Sequence, residues 1–451
     1  MRPWSRLRWL VPAFWLTTTL VACDASTPTD PASPTGTEPS VDLGVELHEP
    51  ESVGMSTAGL ARLKGGMQEL INQGRLAGMT TMLARHGKIV HFATYGARDR
   101  EAGRAMPPDA IFRIYSMTKP IIGVGLMTLY EEGRFQLSDP VAMYIPEFAD
   151  LEVASGVGAS GPLVEEADHL MTIRELMTHT AGLTYSFAQQ HPVDEIYRRS
   201  GMDAMSGTGD LEATIDALAA LPLRHQPGTR WSYSMATDVL GRVVEVVSDR
   251  PFAQYLQDHV LDPLGMVDTT FRVGDADLGR LAACYSPDPE TLEPVLLDAP
   301  VTSGFRSPSW SSGGGGLVST MADYHRFCRM LLNGGLSDGD RLLGPRTLAL
   351  MMRNHLPGGA DLSAVGDPLY HQGFFDGVGF GLGFAVVLDA AAGRIHATEG
   401  ECSWGGMAST AFWVDPVEEV SVVFLAQLVP SSTHISLRWD LRTLVNQAIV
   451  D

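Results

Sequence analysis

The sequence predicts a mixed α/β fold of the α+β kind, with one antiparallel sheet built from both chain ends, flanked by helices, and a helical subdomain inserted in the middle. Three observations predict it. Strand-like apolar runs cluster near both ends, and most strong patterns between them repeat at helical spacing. At 451 residues the chain exceeds one ordinary core, so a domain with a large insertion, or two closely packed subdomains, is expected. Apolar residues make up 45% and charged residues 19%, the balance of a globular protein and not of a disordered or fibrous one.

The chain opens Met1-Arg2-Pro3-Trp4-Ser5-Arg6-Leu7-Arg8, and an apolar stretch runs from Trp9 to Ala22. Basic then apolar is the layout of an export signal. The stretch falls short of the roughly 20 residues that span a bilayer as a helix. It ends Leu20-Val21-Ala22-Cys23, which resembles the bacterial lipoprotein box, where the cysteine is lipidated; the alternative is an ordinary signal peptide with an incidental cysteine. Residues 1–23 are therefore read as a lipoprotein-type signal peptide with Cys23 as the lipidation site. The expected destination is the bacterial cell envelope, by lipid anchor, or the periplasm or medium. Residues 24–50, with Pro28, Pro31, Pro34 and Pro39, bury too little apolar surface to offset their ordering entropy and read as a disordered Pro/Thr-rich linker.

The folded domain, 51–451, begins with a helix carrying Leu60, Leu63, Met67 and Leu70. Met79 to Arg85 and Ile89 to Tyr95, joined by His86-Gly87, read as a hairpin. Helical patterns follow, one from Ala236 through Val247. Another starts at Thr320 with Asp323 as capping partner, carries Tyr324, Phe327, Cys328 and Leu331 on one face, and stops at Gly334. Strand-like runs return at Phe380 to Leu388, Arg394 to Thr398, Ala408 to Val414 and Val420 to Ala426, with Asp415-Pro416 turning between the last two.

A net charge of −21 with no dense Lys/Arg tract repels nucleic acid and anionic headgroups. No nucleic-acid partner is expected, and membrane association only through the N-terminal lipid. Solubility is the plainer use of the acidity. Past Cys23 only Cys284, Cys328 and Cys402 remain, with no Cys-x-x-Cys pair, so a thiolate metal site is not expected. Export would permit one disulfide among them. Cys328, on an apolar helix face, reads as a buried, inert thiol.

The chemistry is carried by Phe112-Arg113-Ile114-Tyr115-Ser116-Met117-Thr118-Lys119-Pro120, which leads into the apolar run Ile121 to Tyr130. Ser116 is placed to begin a helix, with Pro120 in its first turn, where a missing N–H costs little. Residues three apart share a helix face, so the Lys119 ammonium can reach the Ser116 hydroxyl. A serine is a weak nucleophile until a base takes its proton. A partly desolvated lysine can act as that base, and the helix N-terminus favours developing negative charge. Ser-x-x-Lys alone is a weak signal, equally the pattern of a capping serine with a surface lysine one turn on.

Ser-x-x-Lys is also the first motif of the serine beta-lactamases and penicillin-binding proteins, and the chain resembles that superfamily from about residue 51 to 430. Leu176-Met177-Thr178-His179-Thr180-Ala181-Gly182-Leu183 is similar to its segment downstream of the nucleophile helix. Pro227-Gly228-Thr229-Arg230-Trp231-Ser232-Tyr233-Ser234 is similar to the stretch carrying its active-site tyrosine, and Gly315-Gly316-Leu317-Val318-Ser319-Thr320 adds another. The resemblance implies a beta-lactamase-like fold, with Tyr233 as second base, shuttling the proton between Ser116 and the leaving group. A phenol ordinarily ionises near pH ~10, and the Lys119 ammonium would favour the phenolate. It also makes His179 a structural, hydrogen-bonded packing residue and not the partner of a Ser-His pair. Ser403-Trp404-Gly405-Gly406-Met407 is similar to the Trp-Gly-Gly pattern of the family VIII carboxylesterases. There the glycines admit close backbone approach, and the Met407 and Ser116 N–H groups would form the oxyanion hole.

Two departures from the lactamase pattern point away from lactams and D-Ala-D-Ala peptides. Met235 stands where Tyr-x-Asn has its asparagine, and Trp404 replaces the cation of the third motif. Met235, Trp404, Gly405 and Gly406 are thus the expected substrate-binding positions, and the expected partner is a small-molecule carboxylic ester. No Gly-x-Ser-x-Gly elbow, His-Glu-x-x-His, EF-hand loop or P-loop occurs, so no metal or other cofactor is required. The alternatives are a beta-lactamase or D-alanyl-D-alanine carboxypeptidase and, from another class, a catalytically silent cell-wall-binding protein.

Overall fold

Two buried strands organise the protein. The computed structural model describes residues 46–158, 161–202, 209–367, 375–434 and 436–451; the expected signal peptide, Cys23 and most of the expected linker lie outside them. Strands β1 (Gly78–Arg85) and β2 (Lys88–Asp99) form the N-terminal hairpin, and β3 (Arg104–Ala105) extends it to one edge. From the C-terminal half come β4 (Val378–Phe380), β5 (Ala385–Val387), β6 (Cys402–Gly405), β7 (Ala411–Asp415) and β8 (Val420–Ala426). They assemble in the order β4-β5-β6-β7-β8-β1-β2-β3, antiparallel throughout, with Met79 opposite Ala426 and Arg85 opposite Val420. The central pair, β1 and β8, is buried along its whole length.

Alternation along β8 sorts its side chains between two cores, as a period of two requires. Val422, Phe424 and Ala426 pack with Leu60, Leu63 and Met67 of α1 (Thr57–Asn72) and with Leu437, Leu441 and Val445 of the last helix. Val423 and Leu425 face the larger core, shared with α2 (Thr118–Glu131), α3 (Ala236–Ser248) and α4 (Met321–Leu332). The last helix is α5 (Leu437–Asn446). Short helices Ile173–Met177, Pro192–Arg199, Leu211–Ala219 and Phe252–Leu256 join α3 in the helical insertion between the chain ends. Among the described residues no helix is long and apolar enough to cross a membrane.

Several local expectations change. Ordered pairing begins before residue 51, because Leu47 bridges Ile89 and the His48 N–H donates to the Ile89 carbonyl at 2.8 Å. The run Phe380 to Leu388 is two strands, β4 and β5, folded back at Gly381-Leu382-Gly383. A side chain at Gly381 would lie 2.2 Å from the Met351 carbonyl oxygen. Arg394 to Thr398 is not a strand. Asp389 caps a short helix at Ala390–Gly393, Arg394 takes φ +54°, and the pairing strand is instead Cys402–Gly405. Thr320 does cap α4, accepting from the Asp323 N–H at 3.3 Å, but Asp323 returns nothing to it. Its carboxylate accepts from the Asp268 N–H at 2.8 Å and from Thr269 Oγ1 at 3.0 Å, tying α4 to a distant loop. Cys284, Cys328 and Cys402 are all buried and free, so no disulfide joins them, and burial pushes the Cys328 thiol far up.

Candidate active site

The nucleophile segment is held by a small strand pair. Phe112–Arg113 pairs with Val318–Ser319, and the Ile114 N–H donates to the Leu317 carbonyl at 3.1 Å. The chain then turns through a 3-10 segment, Tyr115–Met117, with Tyr115 at φ +44°, and enters α2 at Thr118. Ser116 therefore sits just ahead of the helix and not on its first residue, and Pro120 still falls in the first turn. Positive φ is uncommon for a bulky residue, and the cost is met by surrounding contacts. Here the Tyr115 ring packs edge-on against Phe305 at 5.8 Å, and Tyr324 Oη donates to the Met117 carbonyl at 3.0 Å.

Lys119 is 1% exposed, in the first turn of α2. Its Nζ lies 3.5 Å from Ser116 Oγ, the outer limit of a hydrogen bond, and donates to the Gly314 carbonyl at 2.6 Å. The same ammonium sits 4.4 Å from the Tyr233 ring centroid and 5.4 Å from that of Tyr185. Ser116, Lys119 and Tyr233 thus lie together, joined through the Lys119 ammonium. Catalytic hydrogen bonds are often long without substrate and tighten in its complex.

Tyr233 precedes α3 on a loop anchored to several distant segments. The Trp231 N–H donates to the Val365 carbonyl and the Ser232 N–H to the His179 carbonyl, both at 2.8 Å. Ser232 Oγ donates to Asp367 Oδ2 at 2.6 Å, and Arg224 Nη1 reaches the same oxygen at 2.7 Å. Around Tyr233 the rings of His179 (4.9 Å), Tyr185 and Trp404 (5.5 Å each) and Trp231 (5.8 Å) form an aromatic cage. His179 is a packing residue within it: it is 1% exposed, and its Nδ1 lies 3.2 Å from Ser234 Oγ. Burial, and then the Lys119 charge, push its imidazole well below the usual range, so it stays neutral at physiological pH.

Trp404 lies on β6, and its Nε1–H donates to Tyr233 Oη at 3.2 Å. Of the neighbouring glycines, Gly406 is required by fixed backbone, while Gly405 faces a side chain. A side chain at Gly406 would lie 2.3 Å from the Ile114 carbonyl oxygen, and one at Gly405 would lie 2.4 Å from the Arg438 guanidinium. Arg438 Nη2 donates to the Gly406 and Thr410 carbonyls at 3.1 and 2.9 Å, bracing the turn that contains Met407. Gly406 is thus pressed against the backbone two residues before Ser116. Burial pulls the Arg438 guanidinium down to about 10, against the opposing influence of Tyr233. Met407 itself is 37% exposed.

Met235 is where the substrate-binding expectation is corrected. It is 0% exposed and packs in the larger core with Val239 and Leu240, so its side chain offers no surface to a substrate. The spacing from Tyr233 put it near the site, but the start of α3 turns it inward. Sequence reasoning missed Gly314, Asp238, Tyr185 and Arg438. Gly314 and Tyr185 border segments already singled out, whereas Asp238 and Arg438 read as ordinary helix charges. Among the described residues no group of three or more His, Cys, Asp or Glu side chains is placed to hold a metal ion.

The sequence model of the family described as Beta-lactamase matches residues 62–447. "Protein Rv1367c" of Mycobacterium tuberculosis (strain ATCC 25618 / H37Rv) is 37% identical over 374 residues, 81% of this chain and 90% of that protein. "Esterase EstB" of Burkholderia gladioli is 31% identical over 396 residues, 84% of this chain and 93% of the esterase. The solved structure of "EstCE1, a hydrolase with promiscuous acyltransferase activity" superposes with TM-score 0.73 at 29% identity, covering 86% of this chain and 98% of that one.

Proposed function

The chain belongs to the beta-lactamase family, and from that premise we propose that it cleaves carboxylic esters through an acyl-enzyme on Ser116. Lys119 takes the Ser116 proton as Oγ attacks the ester carbonyl. Tyr233 passes a proton to the departing alkoxide, and water then releases the acid by the reverse path. The Ser116 and Met407 N–H groups stabilise the oxyanion. The observation that carries the ester reading is the Trp404 indole bonded to Tyr233 Oη, at the position where the lactamase pattern keeps a cation for a substrate carboxylate. The resemblance to an esterase and to a hydrolase with acyltransferase activity supports the same substrate class. Export with lipidation at Cys23 is part of the proposal and rests on the basic-apolar leader and the linker behind it.

A fluorophosphonate probe followed by peptide mass spectrometry should place the adduct on Ser116, and Ser116→Ala should remain unlabelled. The rates of the unlabelled enzyme on p-nitrophenyl esters, nitrocefin and a D-Ala-D-Ala peptide then decide the class. Esters should be turned over at least about tenfold faster, since the cation missing at Trp404 costs roughly tenfold or more. Equal efficiency on nitrocefin would move the lactamase reading ahead, and no adduct at all would favour the silent cell-wall binder.

A further inference from the structure

Resting on the Ser116 chemistry above, we propose that Asp238 is a positioning residue for Lys119, setting through Gly314 both where the ammonium sits and how readily it gives up its proton. Asp238 lies in the first turn of α3, five residues after Tyr233, and is 0% exposed. Its Oδ1 accepts from Ser312 Oγ at 2.7 Å and from the Gly314 N–H at 2.8 Å. The Gly314 carbonyl accepts from Lys119 Nζ at 2.6 Å. One residue of the glycine loop therefore joins a buried acid to a buried base. The loop has no slack. A side chain at Gly314 would lie 2.6 Å from Asp238 Oδ2 and 2.8 Å from Tyr185 Oη, and one at Gly313 would lie 2.4 Å from the Thr237 carbonyl oxygen.

An anchor alone does not call for a charge. An asparagine could accept both bonds through its Oδ1 at a lower desolvation cost, and Asp238 Oδ2 is buried with no hydrogen bond among the described residues. Lys119 is the cation that bears on the buried Asp238 carboxyl. Burial raises the Asp238 carboxyl, while the Ser312 and Gly314 bonds and the Lys119 charge hold it down. The groups facing this pair are Lys119 from α2, Ser312 from the glycine loop, Tyr185 from the segment after Ile173–Met177, and Tyr233 from the approach to α3. Beside Tyr233, burial and then the Lys119 charge push the His179 imidazole well below its usual range.

The test reads the rate of fluorophosphonate labelling at Ser116 in the full chain over about pH 5 to 10, which needs no knowledge of the substrate. Asp238→Asn keeps the acceptor and removes the charge, so the pH of half-maximal rate should fall by about half a unit to one unit. Ser312→Ala keeps the carboxyl group but loosens the loop, and should slow labelling about three- to tenfold across the pH range. An Asp238→Asn midpoint equal to wild type overturns the electrostatic role. A Ser312→Ala enzyme labelled as fast as wild type overturns the positioning role, and it does so even if Asp238→Asn fails to fold. Absence of labelling in the wild type itself overturns the Ser116 reading, and this inference falls with it.

Discussion

The two walls of the site are built on different principles. Ser116 and Lys119 face each other because they are three residues apart across a helix start, where a local turn brings them within reach. Tyr233 and Trp404 meet across 171 residues of sequence, through one indole hydrogen bond and a cage of rings. The first wall leans beyond the helix start only on the Gly314 carbonyl, which takes the Lys119 ammonium at 2.6 Å. The second depends on contacts that are individually weak and separately replaceable, so it is where a family on one scaffold can vary what it recognises. The difference teaches that a serine and its lysine can be paired locally, whereas the tyrosine and the indole that meets it are paired only by the fold.

The sharpest way to break this comparison is to show that the walls act independently. Lys119→Ala and Tyr233→Phe should each lower ester turnover by roughly a hundredfold to ten-thousandfold, and the double mutant should lose little more, as expected for groups sharing one proton path. Steady-state kinetics on the three variants measures this, and additive losses would separate the walls. Next in size is the correction at Met235. Met235→Asn places an amide among Val239 and Leu240 in a dry core, so it should cost about 2 to 4 kcal/mol of stability and recover no lactam hydrolysis. Thermal or urea unfolding checks the first part and nitrocefin the second; a stable variant with gained lactamase activity would return Met235 to the site. The smallest effect is at the joint of the assembled wall. Trp404→Phe keeps most of the ring packing and deletes the donor to Tyr233 Oη, so kcat should fall about tenfold with KM for a small ester little changed. A change confined to KM would make Trp404 a substrate contact only.

Much of this molecule was legible without coordinates, for a physical reason that can be named at each place. The β1–β2 hairpin follows from two apolar runs around His86-Gly87, and α4 from its Thr320 cap and its apolar face. Ser116 and Lys119 are legible because the interaction is local and one helical turn has one geometry. His179, too, was placed correctly as a packing residue.

Tertiary structure decided what depends on packing between distant segments. Phe380 to Leu388 is one apolar run in the sequence, and the fold turns it back at Gly381-Leu382-Gly383 into two paired strands, with the Met351 carbonyl packed against Gly381. Met235 has a position in a motif, but which way its side chain turns depends on how α3 enters the core. Asp238 and Lys119 are 119 residues apart in the chain and are linked through a loop a further 74 residues on from Asp238, so no pattern or propensity could pair them. Local geometry is written in the order of residues, because short-range sterics and hydrogen bonds settle it. The partners of a buried charge are not, because desolvation makes each one depend on whatever the fold brings to that spot.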